Sequence, residues 1–551
     1  MNASTASIRS VDEIEAHPGG SYVSASSWFA PWALLCLAFP GVVFFLTWFK
    51  PVIGWPAAIV VCAAIVQVFR NKEVCAYAVP FRRRDVFFLA ALALLWAVLS
   101  GAGAFVPQSS DYVKHNLLLH DLETKPWPVF YHTGHGARFL CYGLSYYLPS
   151  ALVGAACGDL AGRIAAVLWS AICCFLILYW VGSMNRRRPW LTIGVFLLVA
   201  GMQFLWFLAR HSLPPLVAHF CDPQRFSDSF ESLGLFAGYA PALFKSYWAP
   251  QHGIPGWLGV ALLYELLWVR GKVGCGFLVG ALVLGWSPLT CTGLLVVPLA
   301  WLFSRPSRWS WQLVSLAAGL VVFVLYAIYY SAHDPLADKG PIWTFKSELH
   351  WTLFYAVFAV TQVLLLAICV WLMDRRWKLL DGWRPLYYVS VALLLALPLY
   401  KFGLFGDLRM QGANGPGVIV ALAISFCLTS GRVSWRHPLY ICLAVLTALT
   451  AGTTLLRTAQ DVSGRSNKSV TWRLEGSDHQ VALPDFSAAT IERQGVADLS
   501  EINKIGLPFR NDFSFDLAGQ YLGNGENSGC QRLLKTPPAG APVEPSPGES
   551  R

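Results

Sequence analysis

Charged side chains are scarce in this 551-residue sequence: they make up 13% of the chain, whereas 56% of its residues are hydrophobic. Soluble globular domains carry roughly a quarter of charged residues, so this shortage excludes an ordinary soluble domain. The positive excess of 10 charges comes in short clusters between apolar runs, a pattern typical of membrane topology signals and not of a nucleic-acid-binding surface. The sequence therefore predicts a multi-pass membrane protein with no nucleic-acid partner.

Other familiar signals are missing too. None of the 14 cysteines belongs to a CxxC pair, and most lie in apolar runs, where a thiol packs as a small hydrophobic side chain. No repeat of fixed period is evident, which argues against the duplicated halves of many transporters. Residues 1–27 lack the basic region and the small-residue cleavage site of a secretory signal. We therefore expect a cytoplasmic N-terminal tail and a first span that stays in the mature protein.

Long apolar runs recur along the chain, and a helix needs about 20 such residues to cross a bilayer. The run 274–303 is too long for one span and is interrupted by Trp286-Ser287-Pro288, so we expect two short spans joined by a turn. The tyrosines of 139–157 favour a position in the membrane interface. With the short segment 417–428, the sequence predicts about 13 transmembrane helices. The ten other predicted spans are 28–49, 52–69, 86–106, 164–181, 190–208, 254–269, 311–330, 351–373, 386–400 and 439–456.

Lysine and arginine concentrate in six short connections between these runs, at 70–84, 186–188, 270–272, 305–308, 375–384 and 432–436. Because positively charged loops stay in the cytoplasm, we expect all six on that side, together with the N-terminus. An odd number of crossings then places the C-terminal part outside. We expect a multi-pass domain over 28–457, a small extracytoplasmic region over 458–535 and a proline-rich disordered tail over 536–551.

The first predicted outer loop, 106–138, is rich in ionisable residues. Asp111 would lie at the membrane surface directly after a span, where an ionisable group is a functional candidate. The spacing from Asp111 to His115, Leu118 and Leu122 predicts a short helix with one apolar face along the membrane. Two roles for Asp111 fit: a base for an acceptor hydroxyl, beside Lys114, or simply the N-cap of this helix.

Histidines in the same loop invite a metal interpretation. His120-Asp121 and His132-x-x-His135 contain the usual zinc ligands, but no third ligand follows at a recognisable separation. We expect interfacial polar contacts there and predict no cofactor. The pattern is compatible with a bound divalent metal but does not predict one.

The second predicted outer segment, 210–250, begins with Arg210 and leads into the block YWAPQHGIPGW. Its aromatic side chains, with the amide of Gln251 and the imidazole of His252, suit the face of a sugar. Membrane anchoring by tryptophan and tyrosine is the alternative for the aromatic residues. It explains Gln251 and His252, which lie between two prolines, less well.

A third candidate lies at the outer end of a late span, in KFGLFGDLRMQGANGPG. Asp407 and Arg409 occur in a glycine-rich run, and Pro416 is expected to open the next short helix. Free backbone N–H groups at a helix start, with a nearby arginine, make an anion site. A lipid phosphate is the natural anion at that depth. The alternative is an ordinary surface ion pair between Asp407 and Arg409.

Taken together, these features resemble the GT-C class of membrane glycosyltransferases, which use polyprenyl-phosphate sugars outside the cytoplasm. The blocks SSDYVKHNLLLHDL, YYLPSALVG, YWAPQHGIPGWL and GDLRMQG resemble poorly characterised bacterial multi-pass proteins of this class. In the late block those proteins tend toward Asn-Asp and Met-Arg, where this chain has Gly406-Asp407 and Met410-Gln411, so Arg409 would supply the basic group. The resemblance implies a GT-C-like all-α fold in a bacterial inner (cytoplasmic) membrane, with Asp111 as base.

We therefore expect transfer of a sugar from a polyprenyl-phosphate donor to a glycan, lipid or protein hydroxyl on the extracytoplasmic face. Asp111 would act as general base, and Arg409, with Arg210 or Arg138, would stabilise the departing phosphate. The remaining predicted substrate-binding residues are His115, Gln251, His252 and Asp407. A polysaccharide ligase or polymerase would share these features. A lipid-linked glycan transporter is the alternative from another class, although the scarcity of charge within the spans argues against a polar path.

Overall fold

The structure is a computed structural model of the chain. It describes residues 28–70, 81–109, 111–133, 136–202, 205, 238–304, 309–333, 339–344, 351–403, 406–462, 471–474, 480–482, 505–506, 522–524 and 532–535. The predicted N-terminal tail, Arg210, His135 and the predicted disordered tail lie outside these residues. Of the predicted C-terminal region 458–535, the structure describes the end of one helix and a few short pieces.

The described chain is mostly helical. Nineteen α-helices run through it: α1 (Phe29–Trp48), α2 (Pro51–Arg70), α3 (Arg83–Leu99), α4 (Tyr112–Thr124), α5 (Leu148–Cys157), α6 (Asp159–Ser183), α7 (Pro189–Leu198), α8 (Ala242–Trp248), α9 (Pro250–Leu263), α10 (Val273–Trp286), α11 (Thr290–Leu294), α12 (Val296–Phe303), α13 (Leu313–Ser331), α14 (Trp351–Ala359), α15 (Leu365–Trp377), α16 (Arg384–Ala396), α17 (Asp407–Gly412), α18 (Asn414–Thr429) and α19 (Pro438–Val462).

Within the described residues, six helical segments are long and apolar enough to cross a membrane, and shorter apolar helices accompany them. The 20 residues of α1 rise about 30 Å, the thickness of the hydrocarbon core. One of the six, Trp351–Trp377, joins α14 to α15 through a π-helical turn. The chain is therefore a mainly helical membrane protein, while the number of 13 crossings stays a prediction.

The expected break in one apolar run is confirmed, and another segment is too short to span, while its place in the membrane interface stays a prediction. The apolar run 274–303 divides where Trp286-Ser287-Pro288 interrupts it: α10 ends at Trp286, and α11 begins at Thr290. The segment 139–157 forms a strand end, a 3-10 turn and α5. Because α5 has only 10 residues, it extends about 15 Å and is too short to cross a bilayer.

Small β-sheets accompany the helices, which the sequence did not predict. Strands β1 (Phe130–Thr133) and β2 (Gly136–Leu140) form a hairpin, and β8 (Leu522–Asn524) joins β2. β3 (Lys339–Pro341) pairs with β4 (Tyr400–Phe402). The third sheet has the order β6-β5-β7, from β5 (Thr471–Leu474), β6 (Gln480–Ala482) and β7 (Ile505–Gly506).

Contacts between connections distinguish the two ends of the helix bundle. At the end that carries 100–158, which we call the loop end, β2 pairs with β8, and Lys50 N–H donates to the Leu533 carbonyl at 2.9 Å. At the opposite end, the arginine end, Arg187 donates to the Ser430 carbonyl and Arg432 to the Trp377 carbonyl, both at 3.4 Å. The described C-terminal strand β8 thus lies at the same end as the first loop.

Close helix packing depends on glycine where helices approach each other. A Cβ at Gly319 of α13 would come within 2.7 Å of Phe277 in α10 and 3.0 Å of the Leu278 backbone. Such distances leave no room for a side chain, so the two long helices pack with their backbones near each other. The end of α10 lies at the loop end, since a Cβ on Gly143 would overlap the Trp286 carbonyl oxygen. Tyr329 of α13 lies at the same end and donates to the Leu140 carbonyl.

Candidate functional site

The charged cluster at the loop end starts with Asp111, just before α4. Its carboxylate Oδ1 lies 3.1 Å from Lys114 Nζ. Asp111 occupies the N-cap position, but its side chain makes no capping hydrogen bond. The carboxylate therefore faces Lys114 instead of the helix backbone, and about a third of it is exposed. The capping role is therefore not supported by a hydrogen bond in this structure.

His115 joins α4 to two neighbouring helices. Its Nε2 lies 3.3 Å from the Trp248 carbonyl, and its Nδ1 lies 2.6 Å from the Tyr147 hydroxyl. A carbonyl only accepts, so Nε2 carries the proton and Nδ1 accepts from Tyr147. Burial, and then the positive charge of Lys114, lowers the pKa of His115 to about 4. His115 is thus a neutral linker whose two ring nitrogens both have protein partners.

Lys245, which the sequence analysis did not single out, is the second cation of the cluster. It lies on α8, and its side chain is buried. Asp407 and Asp111 attract its ammonium group, whereas Arg409 and Lys114 repel it. Burial, the largest effect, lowers the pKa of Lys245 to about 8. A lone lysine in the apolar stretch YAPALFKSYW was the available signal, because a cation in such a setting is a functional candidate.

Helix α8 is fixed in place by hydrogen bonds to distant segments. Trp96 Nε1 of α3 donates to Ser246 Oγ at 2.6 Å, and the Ser109 hydroxyl donates to the Tyr247 carbonyl at 3.0 Å. Because Ser109 directly precedes the turn at Asp111, the same contacts that hold α8 also hold the start of α4. Lys245 and Asp111 are therefore positioned together.

Helix α17 adds an acid and a further cation. It begins after Gly406, whose φ of +68° suits glycine. Burial raises the pKa of Asp407 to about 6, against the opposing effects of Lys114 and Lys245. Arg409 is almost fully buried, with its guanidinium 5.0 Å from the Phe358 ring centre. Burial lowers the pKa of Arg409 to about 10, so it keeps its charge at neutral pH.

The expected helix start after this block lies two residues earlier than predicted. α18 begins at Asn414 and not at Pro416, and the Asn414 amide donates to the His252 carbonyl at 3.0 Å. A Cβ at Gly415 would come within 2.5 Å of the Gly293 carbonyl. The start of α18 is thus packed against α11, which leaves the side chains of the cluster as the better candidates for binding an anion.

Among the described residues of this cluster, cations outnumber carboxylates. Lys114, Lys245 and Arg409 supply three cations against two carboxylates, those of Asp111 and Asp407, and they influence one another electrostatically. One positive charge is in excess when all five are ionised. A partly buried group of this kind attracts an anion, since charges interact more strongly where water is excluded.

A neutral polar network borders the charged cluster. Gln251 Nε2 donates to the Tyr142 hydroxyl at 3.4 Å, and that hydroxyl lies 3.3 Å from His252 Nε2. His252 Nδ1 lies 2.7 Å from Ser287 Oγ, at the break between α10 and α11. Lys114, Asp111 and Asp407 all act electrostatically on Tyr142, which places the two groups side by side. Gln251 Oε1 is buried without a hydrogen-bond partner, so it is an acceptor suited to a ligand hydroxyl.

One predicted residue lies on a strand beyond these helices, and another is not described. Arg138 is on β2, opposite Tyr131 of β1 and Asn524 of β8, and Arg210 is not among the described residues. His132 belongs to β1. Within the described part of the chain, no group of three or more His, Cys, Asp or Glu side chains suits a metal ion. The structure thus brings together Asp111, His115, Gln251, His252, Asp407 and Arg409, and adds Lys114, Lys245 and Tyr142.

Comparison of the chain with protein-family models, with curated proteins and with solved structures found no match.

Proposed function

We propose that the protein is a membrane glycosyltransferase that moves a sugar from a polyprenyl-phosphate donor to an acceptor hydroxyl of a glycan, lipid or protein. The observation that carries the proposal is the meeting of a partly exposed carboxylate, Asp111, with the buried cations Lys245 and Arg409 at the loop end. Transfer of a sugar from a phosphate ester needs a base for the acceptor hydroxyl and an anion site for the departing phosphate, and here the two lie side by side. The neutral amide and phenol beside them suit the hydroxyls of a sugar.

In this scheme the Asp111 carboxylate accepts the proton of the acceptor hydroxyl. The acceptor oxygen attacks the anomeric carbon, while the bond from that carbon to the phosphate oxygen breaks. Polyprenyl phosphate leaves with the bonding electrons, and the configuration at the anomeric carbon inverts. A positioned base contributes typically about 10²–10⁴-fold to such a step. Lys114 Nζ lies 3.1 Å from this carboxylate and helps to fix its position.

The departing phosphate gains negative charge on its bridging oxygen as the bond breaks. Lys245 and Arg409 are held in place before the reaction, and preorganised charges stabilise a developing anion more strongly than mobile water does. Arg409 lies deeper than Lys245, between aromatic rings, so we assign direct phosphate contact to Lys245 and long-range attraction to Arg409. No step of this scheme uses a cofactor.

The membrane arrangement that we propose has 13 crossings, with the loop end outside the cytoplasm of a bacterial inner membrane and the arginine end inside. It rests on the positive-inside rule and on the grouping of Arg187 with Ser430 and of Arg432 with Trp377 at one end. The six longest apolar helices provide the clearest crossings. The proposed lipid donor would reach the cluster laterally from the outer leaflet.

The proposal is tested with purified protein in lipid nanodiscs and a panel of radiolabelled sugars on polyprenyl phosphate. We expect transfer to water or to an added glycan acceptor from at least one donor, with release of polyprenyl phosphate. Asp111→Asn should abolish that release, while the matched control Asp381→Asn at the arginine end should keep it. A protein that binds and flips the donors between leaflets without cleaving them would instead be a transporter.

A further inference from the structure

A second carboxyl group on α4 lies in an unusual place. Glu123, in the last turn of the helix, inserts its side chain where α5 and α6 cross. A Cβ on Gly154 of α5 or on Gly162 of α6 would overlap the Glu123 carboxyl oxygen Oε1. A Cβ on Gly162 would also come within 3.0 Å of the Gly154 Cα atom. Glycine at both positions therefore creates the notch that the carboxyl group fills.

One oxygen of the Glu123 carboxyl group has no hydrogen-bond donor in this notch. Its Oε1 atom is buried and has no partner. Burying an ionised carboxylate without donors costs far more free energy than burying its neutral form. Burial and, to a smaller extent, the nearby carboxylate of Asp159 together raise the pKa of Glu123 to about 7.

The charged groups around the notch do not reverse this preference. α5 contains no Asp, Glu, Lys or Arg. On α6, Arg163 lies 3.9 Å from Asp159 and donates to the carbonyls of Gly103 and Ala104 at 2.8 and 2.9 Å. On the chain after α4, Lys125 lies 3.3 Å from Asp121. These two cations are thus directed to other acceptors.

We propose that Glu123 is a pH-sensitive latch: in its neutral form it docks the last turn of α4 into the Gly154–Gly162 notch, and in its ionised form it releases that turn. The same helix begins beside Asp111 and carries Lys114 and His115, so the latch controls how firmly the charged cluster is held. The inference concerns the position of α4 and does not depend on the proposed reaction.

The direction of the pH effect follows from linkage. The docked carboxyl holds its proton more tightly than a free one, whose pKa is near 4.5, so docking is strongest at low pH. Docking weakens as pH rises from there to about 7 and changes little above that value. Within this window the docking equilibrium falls by at most about tenfold for each pH unit. The half-buried position of the side chain makes the real change smaller than that limit.

Hydrogen–deuterium exchange of the full-length protein in lipid nanodiscs measures this docking directly. Amide exchange in the last turn of α4 is recorded at pH 5, 6, 7 and 8 and corrected for the intrinsic effect of pH. We expect protection to fall at least about fivefold between pH 5 and pH 7 and then to level off. In Glu123→Gln, which keeps the neutral shape, protection should stay high at every pH.

Two further variants separate the latch from a general loosening of the fold. Asp159→Asn removes a neighbouring negative charge that raises the pKa of Glu123, so the fall in protection should end at lower pH than in the wild type. A fall that ends at the wild-type pH would contradict the electrostatic effect of Asp159 on Glu123. Gly154→Ala fills the notch and should remove protection of that turn at all pH values, with α13 exchange unchanged. Equal protection of the wild type at pH 5 and pH 7, or a Glu123→Gln variant that keeps the wild-type fall, overturns the proposal.

Discussion

The Asp111 carboxylate lies 3.1 Å from Lys114 Nζ, about one helical turn along the chain, and makes no capping hydrogen bond to α4. A cap would be nearly as well served by asparagine, whereas a base would not. The structure thus shows no capping bond, the base role stays a proposal, and the two roles predict different results for an asparagine variant.

Replacing Asp111 with asparagine is the most direct test of the base. Asp111→Asn keeps the size of the side chain but removes its ability to take a proton, so sugar transfer should fall by at least about 10²-fold. Because no capping bond is lost, the thermal unfolding temperature should change little. Initial rates with saturating donor measure the effect, and Asp381→Asn serves as control. Transfer close to wild type in Asp111→Asn would remove Asp111 from the mechanism.

Lys245 provides a test of the anion site that the sequence did not suggest. Lys245→Met keeps an unbranched apolar stem but removes the charge, so donor KM should rise about tenfold or more, as expected for loss of a charge-assisted hydrogen bond. Lys245→Arg should retain most of the donor affinity. Arg375→Gln at the arginine end is the matched loss of one positive charge. An equal effect of Arg375→Gln and Lys245→Met would mean that only overall charge matters.

The lowered pKa of Lys245 also predicts a pH dependence. Burial favours its neutral form, so the ammonium charge is present below about pH 8 and is lost above it. Donor affinity should therefore decline as pH rises through about 8. Arginine keeps its charge in this range, so Lys245→Arg should flatten the decline. The measurement is donor KM from pH 6.5 to 9.5, and a decline that persists unchanged in Lys245→Arg would assign it to another group.

Reporter fusions test the proposed orientation. A reporter that works only in the cytoplasm should be active when fused after Arg188 or Arg376, which lie at the arginine end. The same reporter should be silent when fused after Ser463, beyond α19. Western blots against the fused reporter confirm that each fusion is made in similar amount. Activity at Ser463 would contradict the odd number of crossings and move the C-terminal part to the cytoplasm.

Much of the helical organisation follows from local sequence. The length and hydropathy of each run decide whether it can cross a bilayer, so the spans at α1, α2 and α13 start and end within a few residues of their predicted positions. Pro288 lacks the N–H that would continue α10, and the break was predictable from that residue. For 139–157, the tyrosines that precede α5 predicted a place in the membrane interface, and the shortness of α5 is consistent with a segment that does not cross.

The small sheets could not be predicted in this way. Strand β2 pairs with β8, so Leu140 lies opposite Leu522 across almost 400 positions of the chain. Strands of three to five residues carry too few alternating positions to register as a pattern. Only the fold brings the edges of these strands together. Arg138 lies on β2, so its position could not be predicted from the sequence, and its role in phosphate binding stays a prediction.

The candidate site was partly visible in the sequence. Asp111, Gln251, His252 and Asp407 stood out because polar side chains are rare beside apolar runs. Lys245 was one of several ionisable residues in the second outer segment and was not distinguished from the others. The tautomer of His115 was equally hidden, since it depends on the Trp248 carbonyl, 133 positions away.

By itself the sequence determined that this chain lies in a membrane, where its helices break and which short segments carry polar groups. These properties depend on residues that are close in the chain, so they can be predicted from the local hydropathy and from single residues such as proline. Which polar groups meet was decided only by the tertiary structure. Burial of apolar surface is non-directional, so many helix arrangements would satisfy the same pattern. The contacts that choose among them, such as Trp96 to Ser246 and Ser109 to Tyr247, join residues far apart, and they are what set Lys245 beside Asp111 and Asp407.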